Sequence, residues 1–188
     1  QGLLEGFLAQ KRAKLADSYI PDNLRDGRIL DLGCGFYPHF LSSIKFRNKF
    51  GLNNIFSESE IEGVNLIKRD FYQSTSLPFD NLFFNVVTIL AVLEHLDPEV
   101  AIAVLKEAYR VLAPNGILLI TVPWGRIDPL LKILARIKII SPVEIYEHKQ
   151  RYNESLVKEQ LISAGFVRDK IKTKRFELGL NLFILIKK

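Results

Sequence analysis

Short apolar runs alternate with longer segments of mixed polarity along this chain. The runs have the length of buried strands. They predict seven strands, at 27–32, 49–53, 64–68, 83–90, 117–122, 167–174 and 181–187. The run 83–90 is apolar on both faces, which is typical of a parallel sheet covered by helices.

The segments between these runs predict helices. Apolar residues at helical spacing predict an amphipathic helix over 3–19, which Pro21 ends. Further helices are predicted at 39–46, 98–112, 128–140 and from Asn153 to Gly165, with Asn153 as the N-cap and Gly165 as the terminator. Strand and helix alternate throughout, so we expect a three-layer α/β fold in one domain, residues 1–188, with an N-terminal helix within 1–20.

Composition narrows the class of protein. The chain has 188 residues, of which 48% are hydrophobic and 25% charged, as in ordinary globular domains. No apolar run approaches the roughly 20 residues that a membrane-spanning helix needs. The net charge of +5 comes from scattered basic residues with modest clusters at 11–14 and 170–175. This scatter favours solvated faces over a nucleic-acid surface, although contact with a membrane surface stays open.

Cys34 is the single cysteine of the chain. It excludes an internal disulfide and leaves no cysteine cluster for a metal, so we expect no metal site. A lone thiol suits a reducing compartment, and we expect a cytoplasmic protein.

The turn after the first predicted strand is the expected ligand-binding site, because ligands of open α/β sheets bind beyond the carboxyl ends of the strands. This turn contains Asp31, Gly33, Cys34 and Gly35. Glycines let the backbone approach a ligand, and a following helix favours a negative group. The dinucleotide fingerprint needs glycine or alanine at the position of Pro38, so a nicotinamide or flavin site is excluded.

Four motifs in order resemble the class I S-adenosylmethionine-dependent methyltransferases. They are the acid–glycine turn 31–35, the segment 77–96 with its Leu-Glu-His-Leu ending, the Arg-Val-Leu-Ala-Pro-Asn-Gly segment 110–116, and a late segment from His148 to Phe166. The similarity extends over 28–166 and is to the small-molecule branch that includes quinone-biosynthesis enzymes. It implies a Rossmann-like, mostly parallel sheet with strand order 3-2-1-4-5-7-6 and an antiparallel last strand.

The resemblance also implies a donor site for S-adenosyl-L-methionine. The backbone of Gly33, Cys34 and Gly35 would face its methionine end, and Asp31 would orient its ammonium group. Carbonyls of Leu90 and Ala91 would face the same ammonium.

At the other end of the donor, Asp70 matches the acid that receives the adenine amino group, and Phe71 lies beside the ring. A purely structural role stays open for each residue, since Asp70 could cap its turn and Phe71 could be a core aromatic. The acid that holds the ribose hydroxyls is replaced by Asn53, which can exchange hydrogen bonds but lacks charge. A glutamate among positions 58, 60 and 62 could substitute for it.

Methyl transfer to oxygen usually needs a base, and His95 and His148 are the catalytic candidates. His95 could instead pack at a helix start, and we expect His39 to cap or solvate its short helix. The predicted reaction is methyl transfer to a small or lipid-like acceptor, with the oligomeric state open. Two alternatives are a non-catalytic binding module that kept this fold, and a nucleic-acid methyltransferase. The second is disfavoured because 89–92 lacks the Asn/Asp-Pro-Pro-aromatic motif.

The segment 128–152 follows the fifth strand and is a candidate lid over the acceptor site. Its helix 128–140 has a broad apolar face, and Trp124 lies just upstream at the expected mouth. An ordinary core-packed surface helix is the alternative to a mobile lid that meets a hydrophobic acceptor at a membrane surface.

Overall fold

The computed structural model describes residues 3–54, 61–125, 149–177 and 179–188. Seven strands form one sheet, with bounds β1 Arg28–Leu32, β2 Asn48–Asn53, β3 Val64–Lys68, β4 Phe84–Leu90, β5 Leu112–Pro123, β6 Ile171–Phe176 and β7 Asn181–Lys187. Their spatial order is β3-β2-β1-β4-β5-β7-β6, as expected from the resemblance. The strands β1 to β5 pair in parallel. Strand β7 runs antiparallel to both β5 and β6, so the prediction of an antiparallel last strand is confirmed.

Two strands differ from their predicted limits by more than one residue at an end. Strand β5 already begins at Leu112, whose partner is Phe84, and the predicted turn at 114–116 is a local irregularity of the pairing. There Asn115 has a φ of 62°. Its N–H donates to the Lys188 carbonyl, which keeps the irregular stretch tied to the chain's last strand. Strand β6 starts late, at Ile171, because Arg168–Lys170 forms a 3-10 turn.

Four α-helices are described: α1 Leu3–Ser18, α2 His39–Ser43, α3 Pro98–Val111 and α4 Glu154–Ser163. The predicted cap of α4 is confirmed, since Asn153 Oδ1 accepts a hydrogen bond of 2.8 Å from Leu156 N–H. Gly165, with φ 105°, follows the helix end as predicted. Helix α2 stops earlier than expected because Ile44 is extended. The predicted helix 128–140 lies outside the described residues.

The helices cover both faces of the sheet. The face with α3 and α4 forms the larger cluster, in which Val87, Ile89, Leu105 and Leu161 are fully buried. The other face packs against α1 and α2 through side chains such as Ala16, Ile29 and Leu41. Burial on both sides explains why the strand sequences are apolar throughout rather than alternating. None of the helices in the described ranges is long and apolar enough to cross a membrane.

Candidate functional site

The strand order reverses between β1 and β4. From β1 the chain moves outward to β2 and β3, whereas from β4 it moves to β5 in the opposite direction. The segments that leave the carboxyl ends of β1 and β4 therefore diverge and leave a crevice between them. Such a switch point is where doubly wound sheets bind their ligands.

Asp31 lies at this point, one residue before the end of β1. Its side chain is 3% exposed. Its Oδ1 accepts a hydrogen bond of 2.6 Å from Thr88 Oγ1 on the neighbouring strand β4. Burial raises the pKa of the Asp31 carboxyl to about 7, although the Thr88 hydrogen bond opposes the shift. The group is a buried acid that accepts a hydrogen bond from a neutral hydroxyl, and a ligand cation would favour its ionised form.

The glycine turn follows directly. Both glycines have positive φ, 75° at Gly33 and 79° at Gly35, a region that L side chains rarely adopt. The N–H groups of Gly33 and Cys34 donate to the Leu52 carbonyl, at 2.7 and 3.2 Å. These two amides tie the turn to β2.

The two glycines have different surroundings. A Cβ on Gly33 would lie 2.4 Å from Val92 Cγ2, so that glycine is required by the packing of the segment after β4. Among the described residues, a Cβ on Gly35 would meet only the Tyr37 carbonyl oxygen, at 3.7 Å, so these residues leave the space beside Gly35 open. Gly35 is therefore the position of the turn where a ligand can approach the backbone.

Cys34, predicted to contribute its backbone, has a buried side chain. Burial is the main cause that raises the pKa of its thiol, and the nearby Asp31 raises it further. A thiol held protonated in this way is a packing group rather than a nucleophile.

Leu90 and Ala91 end β4 on the opposite wall of the crevice. Ala91 has a φ of 58°, in the left-handed region, and its N–H donates to the Thr121 carbonyl at 3.0 Å. A non-glycine residue held there stores about 1 kcal/mol or more of strain, and such strain concentrates at functional sites. The structure thus places Asp31, the glycine turn and Ala91 at the carboxyl ends of the neighbouring strands β1 and β4.

Asp70 lies beyond the end of β3 and lines a cleft of about 490 Å³ together with Asn54, Lys68, Arg69 and Gln73. Its Oδ1 accepts a hydrogen bond of 2.9 Å from Tyr72 N–H. Asp70 therefore does cap its turn, as the structural alternative proposed. The cap uses one carboxyl oxygen, and the residue still lines the cleft. A cleft of this volume can hold part of a ligand of nucleoside size.

Two other predicted donor contacts have different positions. Asn53 is half-buried at the end of β2, where its carbonyl accepts from Arg69 N–H at 2.7 Å. Its neighbour Asn54, which the sequence did not single out, lines the cleft instead. Phe71 is a core side chain, 8% exposed and packed in the larger cluster. Of the three glutamates considered as substitutes for Asn53, Glu62 is exposed and the other two lie outside the described residues.

The two histidine candidates are placed unequally. His95 is half-buried in the 3-10 turn Leu93–His95, and its carbonyl accepts from the Tyr72 hydroxyl at 3.1 Å. This turn precedes α3 at the crevice, so His95 lies on the same edge as the glycine turn. His148 falls outside the described residues, and its role stays a prediction. His39 is the exposed first residue of α2, as expected.

Glu94 is a residue that sequence analysis passed over, although it stands inside the Leu-Glu-His-Leu motif. It is 2% exposed, and its Oε2 has no hydrogen-bond partner among the residues that the structure describes. Burial raises its pKa to about 7, while its own backbone and Arg12 lower it. A buried carboxyl without a partner is costly. The signal available from sequence was an acid at the carboxyl end of an otherwise apolar strand.

Comparison with known proteins identifies the family of the chain. A family model described as "Methyltransferase domain" matches residues 2–170. No curated protein sequence matches the chain.

Solved structures share the fold at low sequence identity. A SAM-dependent methyltransferase from Archaeoglobus fulgidus is 20% identical with a TM-score of 0.68, over 96% of this chain and 94% of that one. A SAM-dependent methyltransferase from Thermotoga maritima, described as a possible histamine N-methyltransferase, is 21% identical with a TM-score of 0.68, over 99% and 91%. A structure described as a possible exported protein from Bordetella parapertussis is 13% identical with a TM-score of 0.67, over 95% of this chain and 66% of that one.

Proposed function

The chain belongs to the methyltransferase-domain family, and on that basis we propose that it transfers a methyl group from S-adenosyl-L-methionine to a small or lipid-like acceptor. The observation that carries the proposal is the crevice between β1 and β4. It combines a buried acid, an open glycine and a strained alanine in the positions that the resemblance assigns to the methionine end of the donor.

The residues of the crevice fit the chemistry of this donor. Within the described part of the chain no cation contributes to the pKa of Asp31, and an ammonium group would complement its carboxylate. Gly35 leaves open space where a backbone-hugging ligand would lie. The cleft with Asp70 and Asn54 offers a carboxylate and an amide for the adenine and ribose end.

The donor supplies a sulfonium-activated methyl group when it is bound. Because the leaving sulfur departs as a neutral thioether, positioning of donor and acceptor supplies much of the rate. Asp31 and Ala91 would orient the ammonium, and the glycine turn would fix the methionine backbone. In this proposal Asn54, which lines the cleft, makes part of the ribose contact that the resemblance assigns to Asn53.

An acceptor that must lose a proton needs a base near the end of β4. His95 and His148 are the predicted bases, and Glu94 is a third candidate because a carboxyl with a pKa of about 7 can take up a proton at neutral pH. Glu94→Gln and His95→Asn test the described pair once an acceptor is known. The residue that acts as the base is the one whose change lowers turnover and flattens the pH–rate profile while leaving donor affinity intact.

Two measurements test the proposal even while the acceptor is unidentified. S-adenosylhomocysteine should raise the melting temperature of the protein, whereas NADH at the same concentration should not. Incubation of the protein with methyl-labelled S-adenosylmethionine and a cell extract, followed by solvent partition, should place label in small polar or lipid fractions. A shift with NADH alone, or label found only in nucleic acid, would contradict the proposal.

A further inference from the structure

The hydroxyl of Tyr72 joins three segments that are far apart along the chain. It donates a hydrogen bond of 3.1 Å to the His95 carbonyl, and it accepts one of 3.2 Å from the Asp97 N–H and one of 2.8 Å from Lys149 Nζ. A phenolic hydroxyl has one hydrogen to donate and two lone pairs that accept. All three are used here, although Tyr72 is 51% exposed. We call these four residues the Tyr72 junction.

Lys149 is the cation of the junction, and its backbone and side chain are held separately. Its N–H donates to the Glu94 carbonyl at 2.8 Å. Its Nζ donates to Asp97 Oδ2 at 3.0 Å as well as to the Tyr72 hydroxyl, and it lies 4.4 Å from the centroid of the Tyr72 ring. Because the backbone bond does not involve the ammonium group, a change of this side chain tests the ammonium alone.

The junction connects loops that belong to separate strands of the sheet. Tyr72 follows β3, whereas His95 and Asp97 follow β4. Strands β2 and β1 lie between them, so the ends of β3 and β4 are roughly 14 Å apart at the usual spacing of strands. The two loops therefore meet across the carboxyl ends of β2 and β1, where the glycine turn begins.

The junction and the glycine turn belong to opposite faces of the sheet. Phe71 and Leu96, next to the junction residues in sequence, pack in the larger hydrophobic cluster with α3. Phe40 and Leu41 of α2, the helix after the glycine turn, pack in the cluster on the other face. The switch point therefore has the glycine turn on one side and the junction on the other.

Hydrogen bonds lead from the junction to both ends of the proposed donor site. On the β3 side, the Tyr72 N–H donates to Asp70 Oδ1 at 2.9 Å. On the β4 side, the His95 N–H donates at 3.0 Å to the carbonyl of Val92, the residue after Ala91. The Tyr72 hydroxyl closes this path, so it ties the position of Asp70 to that of Ala91.

From this arrangement we propose that the Tyr72 hydroxyl and the Lys149 ammonium are positioning groups for the donor, which hold Asp70 at a fixed spacing from the segment that carries Ala91. The inference rests on the proposed function, because it takes Asp70 and Ala91 as contacts of the two ends of S-adenosyl-L-methionine. A site whose two parts are already correctly spaced binds a two-ended ligand more tightly, since less ordering remains for binding to impose.

The junction contributes much less to the stability of the fold than to this spacing. The side chains of Lys149 and Asp97 are 44% and 47% exposed, and exposed ion pairs add little to the free energy of unfolding. Loss of the junction should therefore change ligand affinity more clearly than it changes the melting temperature.

Calorimetric titration with a whole ligand and with one part of it tests this role. S-adenosylhomocysteine has both ends, whereas 5′-methylthioadenosine lacks the amino-acid end. Tyr72→Phe keeps the ring and removes the hydroxyl. It should weaken binding of S-adenosylhomocysteine by about fivefold, the factor that one hydrogen bond represents, and that of 5′-methylthioadenosine by less than about twofold. Lys149→Met should show the same pattern, and Lys149→Arg, which restores a charged donor, should recover most of the loss.

Tyr19 and Lys174 provide matched controls on the other face of the sheet. Lys174 Nζ lies 3.5 Å from the Tyr19 hydroxyl, and the Tyr19 ring packs in the cluster with α1 and α2. Tyr19→Phe and Lys174→Met make the same chemical changes away from the junction. They should leave both affinities within about twofold of the wild type, because these residues share no partner with it.

Three results would overturn the proposal. Equal losses for the two ligands in Tyr72→Phe would confine the effect to the adenine end, and a lower melting temperature with unchanged affinities would make the junction a structural contact. Losses of the same size in the control variants would remove its link to the site. A wild type that does not bind S-adenosylhomocysteine would contradict the proposed function and this inference together, whereas normal wild-type binding with unchanged affinity in Tyr72→Phe would contradict the inference alone.

Discussion

The hydroxyl of Thr88 donates a hydrogen bond of 2.6 Å to Oδ1 of Asp31 and joins β4 to β1 at the point where the strand order reverses. The two residues are directly paired across the strands, and both are buried. One hydrogen bond from a neutral hydroxyl does not offset the burial of a carboxylate, so the pKa of Asp31 is about 7. The crevice therefore holds an acid that changes its charge near neutral pH.

The free energy of unfolding should depend on pH because of Asp31. The pKa of Asp31 is raised from 3.8 to about 7 in the folded protein, so the folded state keeps a proton that the unfolded state releases between these values. The free energy of unfolding therefore falls by on the order of a few kcal/mol as pH rises from about 4 to about 7. Above that range this group causes no further change.

Asp31→Asn should remove that part of the pH dependence. The amide oxygen still accepts from Thr88, and Glu94, whose raised pKa acts over a similar pH range, stays in both proteins and cancels in the comparison. Urea unfolding of wild type and variant at about pH 4.5 and pH 8 measures the difference. The same slope in both proteins would contradict a raised pKa at Asp31.

Gly33 should be intolerant of a side chain for a reason of packing. Gly33→Ala places a Cβ 2.4 Å from Val92 Cγ2 at a φ of 75°, and we expect a loss of about 2 kcal/mol or more. Gly35→Ala has a similar φ but no close contact, so it should cost about 1 kcal/mol from strain alone.

The clash with Val92 can be isolated by a double change. In Gly33→Ala with Val92→Ala, the room left by the smaller side chain should recover part of the loss, which appears as a favourable coupling energy in thermal unfolding. Additive losses would mean that backbone strain, rather than Val92, sets the requirement for glycine.

Asn53 and Asn54 should differ in their effect on donor affinity. Asn54 faces the cleft with Asp70, so Asn54→Ala should weaken binding of S-adenosylhomocysteine by about 1 kcal/mol. If Asn53 reaches the ribose, Asn53→Asp should keep or improve the affinity, because a charged acceptor makes stronger hydrogen bonds. Calorimetric titration of both variants and of Asn53→Ala checks this, and no response at either position would place the ribose contact elsewhere.

The sequence predicted the strands well because burial on both faces of the sheet leaves unbroken apolar runs, whereas their order was predicted from the resemblance to methyltransferases. Strand 64–68 and strand 181–187 have their predicted limits. The errors are in the limits of strands whose ends are determined by tertiary contacts. Pro114 to Gly116 has the composition of a turn, but the Lys188 carbonyl and N–H pair with Asn115 and Gly116 and hold the stretch within β5.

The motifs of the candidate site could be located from the sequence, whereas the contacts of their side chains could not. The acid–glycine turn could be located from residue types, because Gly33 combines a positive φ with a close approach to Val92 that excludes a side chain. Which of two adjacent asparagines faces the cleft depends on the twist and end of β2, which no sequence pattern specifies. The burial of Glu94 depends on segments from distant parts of the chain, such as Arg12 and the backbone N–H of Lys149 that donates to its carbonyl.

The proposed function depends most on Asp31 as the partner of the donor's ammonium group, and calorimetric titration of S-adenosylhomocysteine at about pH 6 and pH 8 tests it most directly. With a pKa of about 7, the ionised fraction of Asp31 rises about tenfold over this range, and affinity should rise by about the same factor. Asp31→Asn should bind more weakly and without this pH dependence, whereas Glu94→Gln, which removes the other acid with a pKa of about 7, should keep it. An affinity that does not change with pH in the wild type, or a slope that survives Asp31→Asn, would contradict this role of Asp31.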